Sequence, residues 1–221
     1  MQMMMKSCSK ALLLVVVAAA TASLVVDSSF REDCSIEWEP LIISFTYANA
    51  TIFMPVGSRL RTRKTFLYGS VSTLLQLVPG NSAGTITTFY IDVLRCVGGS
   101  HDEIDFEFLG NEADEPYTIH TNVFVADIGN REVQFKAWFD PAADYHNYTI
   151  SWWPCMILWY VDGIPIRVFR NFEASHGGAA FPTSRPMYGY CSIWASDSDW
   201  VTQSGRVKAD WSKAPFVALP E

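Results

Sequence analysis

Between residues 101 and 110 the chain reads HDEIDFEFLG, with Glu103, Asp105 and Glu107 alternating with Ile104, Phe106 and Phe108. A period of two is that of a half-buried β-strand, so the acids share one face and the apolar side chains point into a core. Short runs rich in Val, Ile, Phe, Tyr, Trp and Thr recur, as at Val71 to Val78, Thr85 to Leu94 and Val133 to Phe139. Turn formers punctuate them at Pro79-Gly80-Asn81, Gly98-Gly99 and Gly129-Asn130, and there is little helical periodicity. Met156 to Val161, Asp162-Gly163 and Ile164 to Phe169 predict a hairpin, because Asp-Gly tolerates the positive backbone angles of a two-residue turn. Pro165 in the returning run marks an edge strand or a strand start. Short strands at even spacing predict an all-β sandwich. No internal repeat or linker interrupts it, so a single domain over 23–221 is expected.

The first 22 residues stand apart. Lys6 and Lys10 precede an unbroken apolar stretch from Ala11 to Ala20, and Ala20-Thr21-Ala22 supplies a small-x-small cleavage pattern. Extended to Val26 the run is shorter than the ~20 residues of a membrane span, so residues 1–22 are expected to be a signal peptide. Cleavage would leave 199 residues with 14 basic and 23 acidic side chains, a net charge of −9. That balance argues against nucleic acid as partner and suits a neutral ligand; nothing suggests a membrane surface after cleavage. Cys34, Cys96, Cys155 and Cys191 lack the paired spacing of a zinc site, and export permits up to two disulfides among them. Asn49-Ala50-Thr51 and Asn147-Tyr148-Thr149 are glycosylation sequons.

Like charges adjacent on one strand face repel, so the acidic trio needs a reason. Retaining glycoside hydrolysis uses two carboxyls about 5–5.5 Å apart, whereas four residues of flat strand separate α-carbons by roughly 13 Å. Glu103 and Glu107 would have to lean together across a curved sheet, with Asp105 hydrogen-bonded between them. One carboxyl should then titrate high and act as acid while its neighbour stays ionised. A calcium site and a solvated strand face are the alternatives, although calcium usually takes ligands from a loop wrapped around it. His101 is open to a role as ligand or catalytic partner, but a lone His beside acids is more often a hydrogen-bonding orienter. Most of the tryptophans belong to a sandwich core, but Trp194 and Trp200 flank the polar stretch Ala195 to Asp199 and suit a sugar-stacking cleft.

The strand HDEIDFEFLG closely resembles the active-site motif of plant xyloglucan endotransglucosylase/hydrolases, a branch of a β-jelly-roll glycosidase family. The resemblance continues through LVPGNSAGT at 77–85, HTNVF at 120–124, GNRE at 129–132, WFDP at 138–141, YVDGIPIR at 160–167 and DWSKAPF at 210–216. It implies a jelly roll of two antiparallel sheets with a concave substrate cleft. Carried over by position, it implies Glu103 as nucleophile, Glu107 as general acid/base and Asp105 assisting. It also implies substrate contacts from His120, Thr121 and Asn122, from Asn130, Arg131 and Glu132, and from Trp194, Asp199 and Trp200. Double displacement would then pass a xyloglucan donor to a xyloglucan or oligosaccharide acceptor, with no metal or cofactor required. The implied protein is a secreted monomer of the plant cell wall and apoplast. A xyloglucan hydrolase and a glucan-binding protein without turnover are the rival functions.

The sequence departs from the family pattern in several places. The family continues for several dozen residues past DWSKAPF, whereas this chain stops at Glu221, so the acceptor side is expected to be incomplete. Asn111-Glu112-Ala113 is not a sequon, Ser204 stands where glycine is common, the Trp194 to Trp200 loop and residues 91–100 are long, and residues 35–62 match poorly.

Overall fold

The computed structural model describes residues 34–38, 43–45, 50–54, 57–93, 100–173, 178–214 and 216–220. The leader expected over 1–22, the sequon at Asn49 and Cys96 lie outside them. Among the described residues the first sheet is built from β1 (Cys34–Trp38), β4 (Ser58–Thr62), β13 (Tyr188–Ala195), β6 (Thr85–Asp92), β7 (Glu103–Leu109), β8 (Thr118–Phe124) and β9 (Val133–Lys136), in that spatial order. The second runs β12 (Ile164–Arg170), β11 (Met156–Val161), β10 (His146–Trp153), β5 (Gly69–Gln76), β14 (Phe216–Pro220), β3 (Ala50–Met54) and β2 (Ile43–Phe45). Every named pairing is antiparallel, and the two sheets make the expected jelly-roll sandwich. No helix among the described residues is long and apolar enough to cross a membrane.

The alternation in HDEIDFEFLG does what its period demands. Ile104, Phe106 and Phe108 are fully buried between the sheets, each aromatic ring contributing about 1.5–3 kcal/mol by leaving water. Phe106 and Phe108 stack at 5.8 Å, and Tyr148 from β10 meets them edge-on at 5.6 and 4.6 Å. Trp152 and Trp159 complete this core, while Trp153 faces outward.

The Asp-Gly hairpin forms as expected, with φ of 49° at Asp162 and 76° at Gly163. Its returning strand β12 is the outermost of its sheet, which is where Pro165 can sit without leaving a ladder bond unmade. The run predicted to Phe139 stops at Lys136, because its partner β8 begins at Thr118 opposite that residue. Gly110 closes the acidic strand for a steric reason: a Cβ there would lie 2.0 Å from the Ser82 carbonyl oxygen. The LVPGNSAGT segment thus packs directly against the end of β7, secured by Gly110 N–H to Thr85 O at 2.9 Å. Among the described residues Cys155 is disulfide-bonded and Cys191 is buried on β13.

Candidate active site

Strand pairing carries the acidic face sideways. Glu103 stands opposite Asp92 and Phe124, Asp105 opposite Tyr90 and Asn122, and Glu107 opposite Thr88 and His120. Paired residues point the same way, so one face gathers the three acids with polar and aromatic neighbours from β6 and β8. Tyr90 stacks on Tyr190 of β13 at 4.8 Å, and Arg59 of β4 caps the Tyr190 ring at 5.2 Å. These rings extend the face on the β13 flank.

The electrostatics separate the acids. Asp105 is enclosed, and burial pushes its carboxyl well above the usual range; Glu107 and then Glu103 push it the same way. Neither of its oxygens meets a partner at ordinary hydrogen-bond geometry, although the Asn122 backbone N–H and the Glu103 carboxyl both act on it. Those two groups therefore shape its charge without forming well-made bonds, and a neutral Asp105 keeps a proton to offer its neighbour. Glu107 is pushed up to about 7, by burial first and by the charge of Glu132 second. An acid raised this far can both give and take a proton near neutrality.

His101 holds the other end of the strand. Its Nδ1 lies 2.5 Å from Asp127 Oδ1, its ring stacks on Phe124 at 5.3 Å, and its Nε2 stands 4.0 Å from Glu103 Oε2. That is the geometry of an orienter. His120 is buried and its Nδ1 lies 3.2 Å from Glu132 Oε2, yet off the axis of a formed hydrogen bond. Burial lowers the His120 pKa, with Glu132 opposing. Glu107, His120 and Glu132 present ligand-type atoms all within 4.8 Å of one another. A groove of about 460 Å³ lies beyond them, lined by Leu109, Thr118, His120, Gln134, Lys136 and Gln203.

Several residues expected at the site do meet there. Trp200 sits 6.3 Å from His120 and 6.0 Å from Trp194, on a short helix α1 (Asp199–Thr202) that follows the polar loop. Asp199 is exposed at the start of that helix. Gln203 and Ser204 both adopt positive φ, 53° and 61°, so Ser204 holds a backbone shape that favours glycine. Asn122 faces the acids, its Oδ1 accepting from the backbone N–H of Val123 and Arg131 at 2.9 and 3.1 Å. Thr121 does not face the cleft. It alternates with His120 and Asn122, is fully buried between the sheets, and accepts from Arg167. Arg131 spends its guanidinium on the carbonyls of Val123, Ile128 and Gly129, stapling its own turn. Asn130 is exposed on that turn with φ of 60°. Asn147 is half-buried on β10, and its Oδ1 accepts from Thr149 Oγ1 at 3.2 Å.

Two supporting residues went unforeseen. The Trp159 indole N–H donates to the Asp105 carbonyl at 2.9 Å. Arg167 lies 4.6 Å over the Trp159 ring and donates to the Thr121 carbonyl at 2.6 Å and to the Arg131 carbonyl. Burial lowers the Arg167 guanidinium to about 10, a shift that Asp105 would oppose once ionised. An arginine among apolar residues of an edge strand was the available signal.

A two-sheet jelly roll whose outer face couples three carboxyls beside aromatic rings defines a carbohydrate-processing sandwich. The chain belongs to glycosyl hydrolases family 16, which it matches over residues 30–213, and within it to the xyloglucan endotransglucosylase/hydrolases. It is 46% identical over 211 residues to xyloglucan endotransglucosylase/hydrolase protein 22 of Arabidopsis thaliana, covering 89% of this chain and 70% of that one. To xyloglucan endotransglucosylase protein 7 of Diospyros kaki it is 53% identical over 162 residues, covering 73% of this chain and 58% of that one. The chain thus spans between 54% and 70% of the length of these and similar plant relatives. In fold it resembles the β-glucanase of Bacillus licheniformis, with a TM-score of 0.68 at 23% identity, covering 83% of this chain and 81% of that one.

Proposed function

We propose that this protein is a retaining xyloglucan endotransglucosylase, exported to the plant cell wall by its N-terminal leader. Glu103 attacks the anomeric carbon of a backbone glucosyl unit while Glu107 protonates the departing chain. Asp105, kept neutral by burial, offers its proton to Glu103 and limits repulsion along the strand. Glu107, now ionised, takes a proton from an acceptor hydroxyl, which displaces Glu103 and joins the two chains. The β8–β9 flank adjoins Glu107, so its groove is assigned to the leaving and incoming chain. The rings of Tyr90 and Tyr190 are assigned to the donor side, where aromatic faces suit sugars.

The observation that carries this proposal is Glu107, raised to about 7 on the same strand face as Glu103 and Asp105. Relatives named for xyloglucan endotransglucosylation supply the substrate class. The test incubates the secreted protein with xyloglucan and a labelled xyloglucan oligosaccharide, with Glu103→Ala as control. Label entering polymer supports transfer. Chain shortening without incorporation makes the protein a hydrolase, and binding without either makes it a glucan-binding protein. If Glu103→Ala keeps turnover, the nucleophile is misassigned.

A further inference from the structure

One group on this face has no task in the double displacement. His120 is buried, and its Nδ1 makes no well-formed hydrogen bond although Glu132 lies close; a buried ring nitrogen so weakly satisfied is costly. Its Nδ1 lies 3.2 Å from Glu132 Oε2, and the residue stands directly opposite Glu107 in the ladder. All three donor atoms fall within 4.8 Å of one another. We propose that Glu107, His120 and Glu132 form a site for a borderline divalent cation of the zinc class, and that its occupancy switches off proton transfer by Glu107.

The donor set decides the cation. One imidazole and two carboxylates suit zinc and its neighbours, whereas calcium wants six to eight oxygens and magnesium an octahedron rich in water. Zinc bonds of about 2.0–2.2 Å put tetrahedral ligand atoms roughly 3.4 Å apart, so the present spacing closes by little more than a ångström. The backbones of His120 and Glu107 are paired in the ladder, and His120 is also buried. Glu132 is exposed on the segment leading into β9, so its carboxylate is the arm that swings in. A fourth position faces the groove and is left for water. Once bound, the metal occupies the oxygens with which Glu107 would hold its proton. The metal half of this proposal stands on geometry alone; the inhibitory half rests on the acid/base role proposed for Glu107.

The test uses the full secreted chain, stripped with EDTA and dialysed. Zn²⁺ alone is titrated by calorimetry and by the fluorescence of Trp200, whose ring sits 6.3 Å from His120. One zinc ion per chain is expected, with affinity falling more than about ten-fold in His120→Gln and, independently, in Glu132→Gln. Glu103→Gln, outside the donor set, should bind zinc like the parent even though its turnover is lost. Transfer activity should fall on adding zinc and return with EDTA, and the fractional loss should be smaller in Glu132→Gln, measured against that variant's own zinc-free rate. Absence of saturable binding, equal binding in both donor variants, or displacement by equimolar Ca²⁺ would overturn the site. Binding without inhibition of an active protein would overturn the switch alone, and a protein inactive on xyloglucan would still report the site through its binding curves.

Discussion

Replacing Glu132 with Gln should move the alkaline limb of the activity profile toward acid. Burial and then the charge of Glu132 hold Glu107 up at about 7, from an ordinary value of 4.5. Two unit charges 4.8 Å apart, the outer bound on these atoms, interact by about 1 kcal/mol in water and about 3.5 kcal/mol at an effective dielectric of 20. Burial is the larger cause, so Glu132 supplies less than half of the rise. Its side chain is also 38% exposed, which lets solvent and salt screen it. At 1.36 kcal/mol per pH unit, the expected movement is about 0.5–1 unit. The sign follows from the role: Glu107 must be protonated to release the first chain, and losing a neighbouring negative charge favours its ionised form. Activity therefore fails at lower pH in the variant. The assay is kcat/KM for transfer to a labelled oligosaccharide between pH 4.5 and 8.5, with EDTA present throughout. Raising the salt should shift the parent part of the way in the same direction. An unmoved limb, or one displaced toward alkali, would refute the coupling.

Two further outcomes concern stability. Trp159→Phe deletes the indole N–H that donates to the Asp105 carbonyl, and should cost about 1–3 kcal/mol, seen as a lowered midpoint in thermal or urea unfolding. Asp105→Asn should raise Tm near pH 8 and lose that advantage near pH 4. The folded state holds the Asp105 proton more tightly than the unfolded chain does. The parent is therefore spared below the ordinary aspartate range and loses stability as pH climbs toward the raised folded value. Calorimetry across pH reads this at about 2–4 °C per kcal/mol for a chain of this size, and a constant difference across pH would count against it.

Local rules carried far into this fold. The period of two placed the acids on one face, and Asp162-Gly163 with Pro165 located an edge hairpin, because both depend on neighbours within a few residues. The same period should have split HTN: His120 and Asn122 lie on the acid face, so Thr121 between them belongs to the core. Treating that contiguous motif as three substrate contacts overrode the pleat. Trp159 and Arg167 were out of reach for a different reason. They act across the sandwich, on groups 54 and 46 positions away, and no linear pattern announces a contact between sheets. The poorly matching N-terminal stretch gives strands β1 to β4, whose partners lie as far off as β13 and β14.

The place of β14 has a consequence for how the chain is made. It lies between β5 and β3, so Ala50–Met54 joins that sheet only through Phe216–Pro220. Phe216 pairs with Met54, 162 positions away. The β12-β11-β10-β5 half can assemble from segments closer in sequence, but the remainder waits on a distant one, an arrangement that slows folding. During synthesis one side of β5 therefore stays open while the chain from Gln76 to Phe216 is made. At about 5–20 residues per second that interval is roughly 7–28 s. A bare strand edge is a template for wrong partners, so the β5 edge is most exposed to them before Phe216–Pro220 leaves the ribosome.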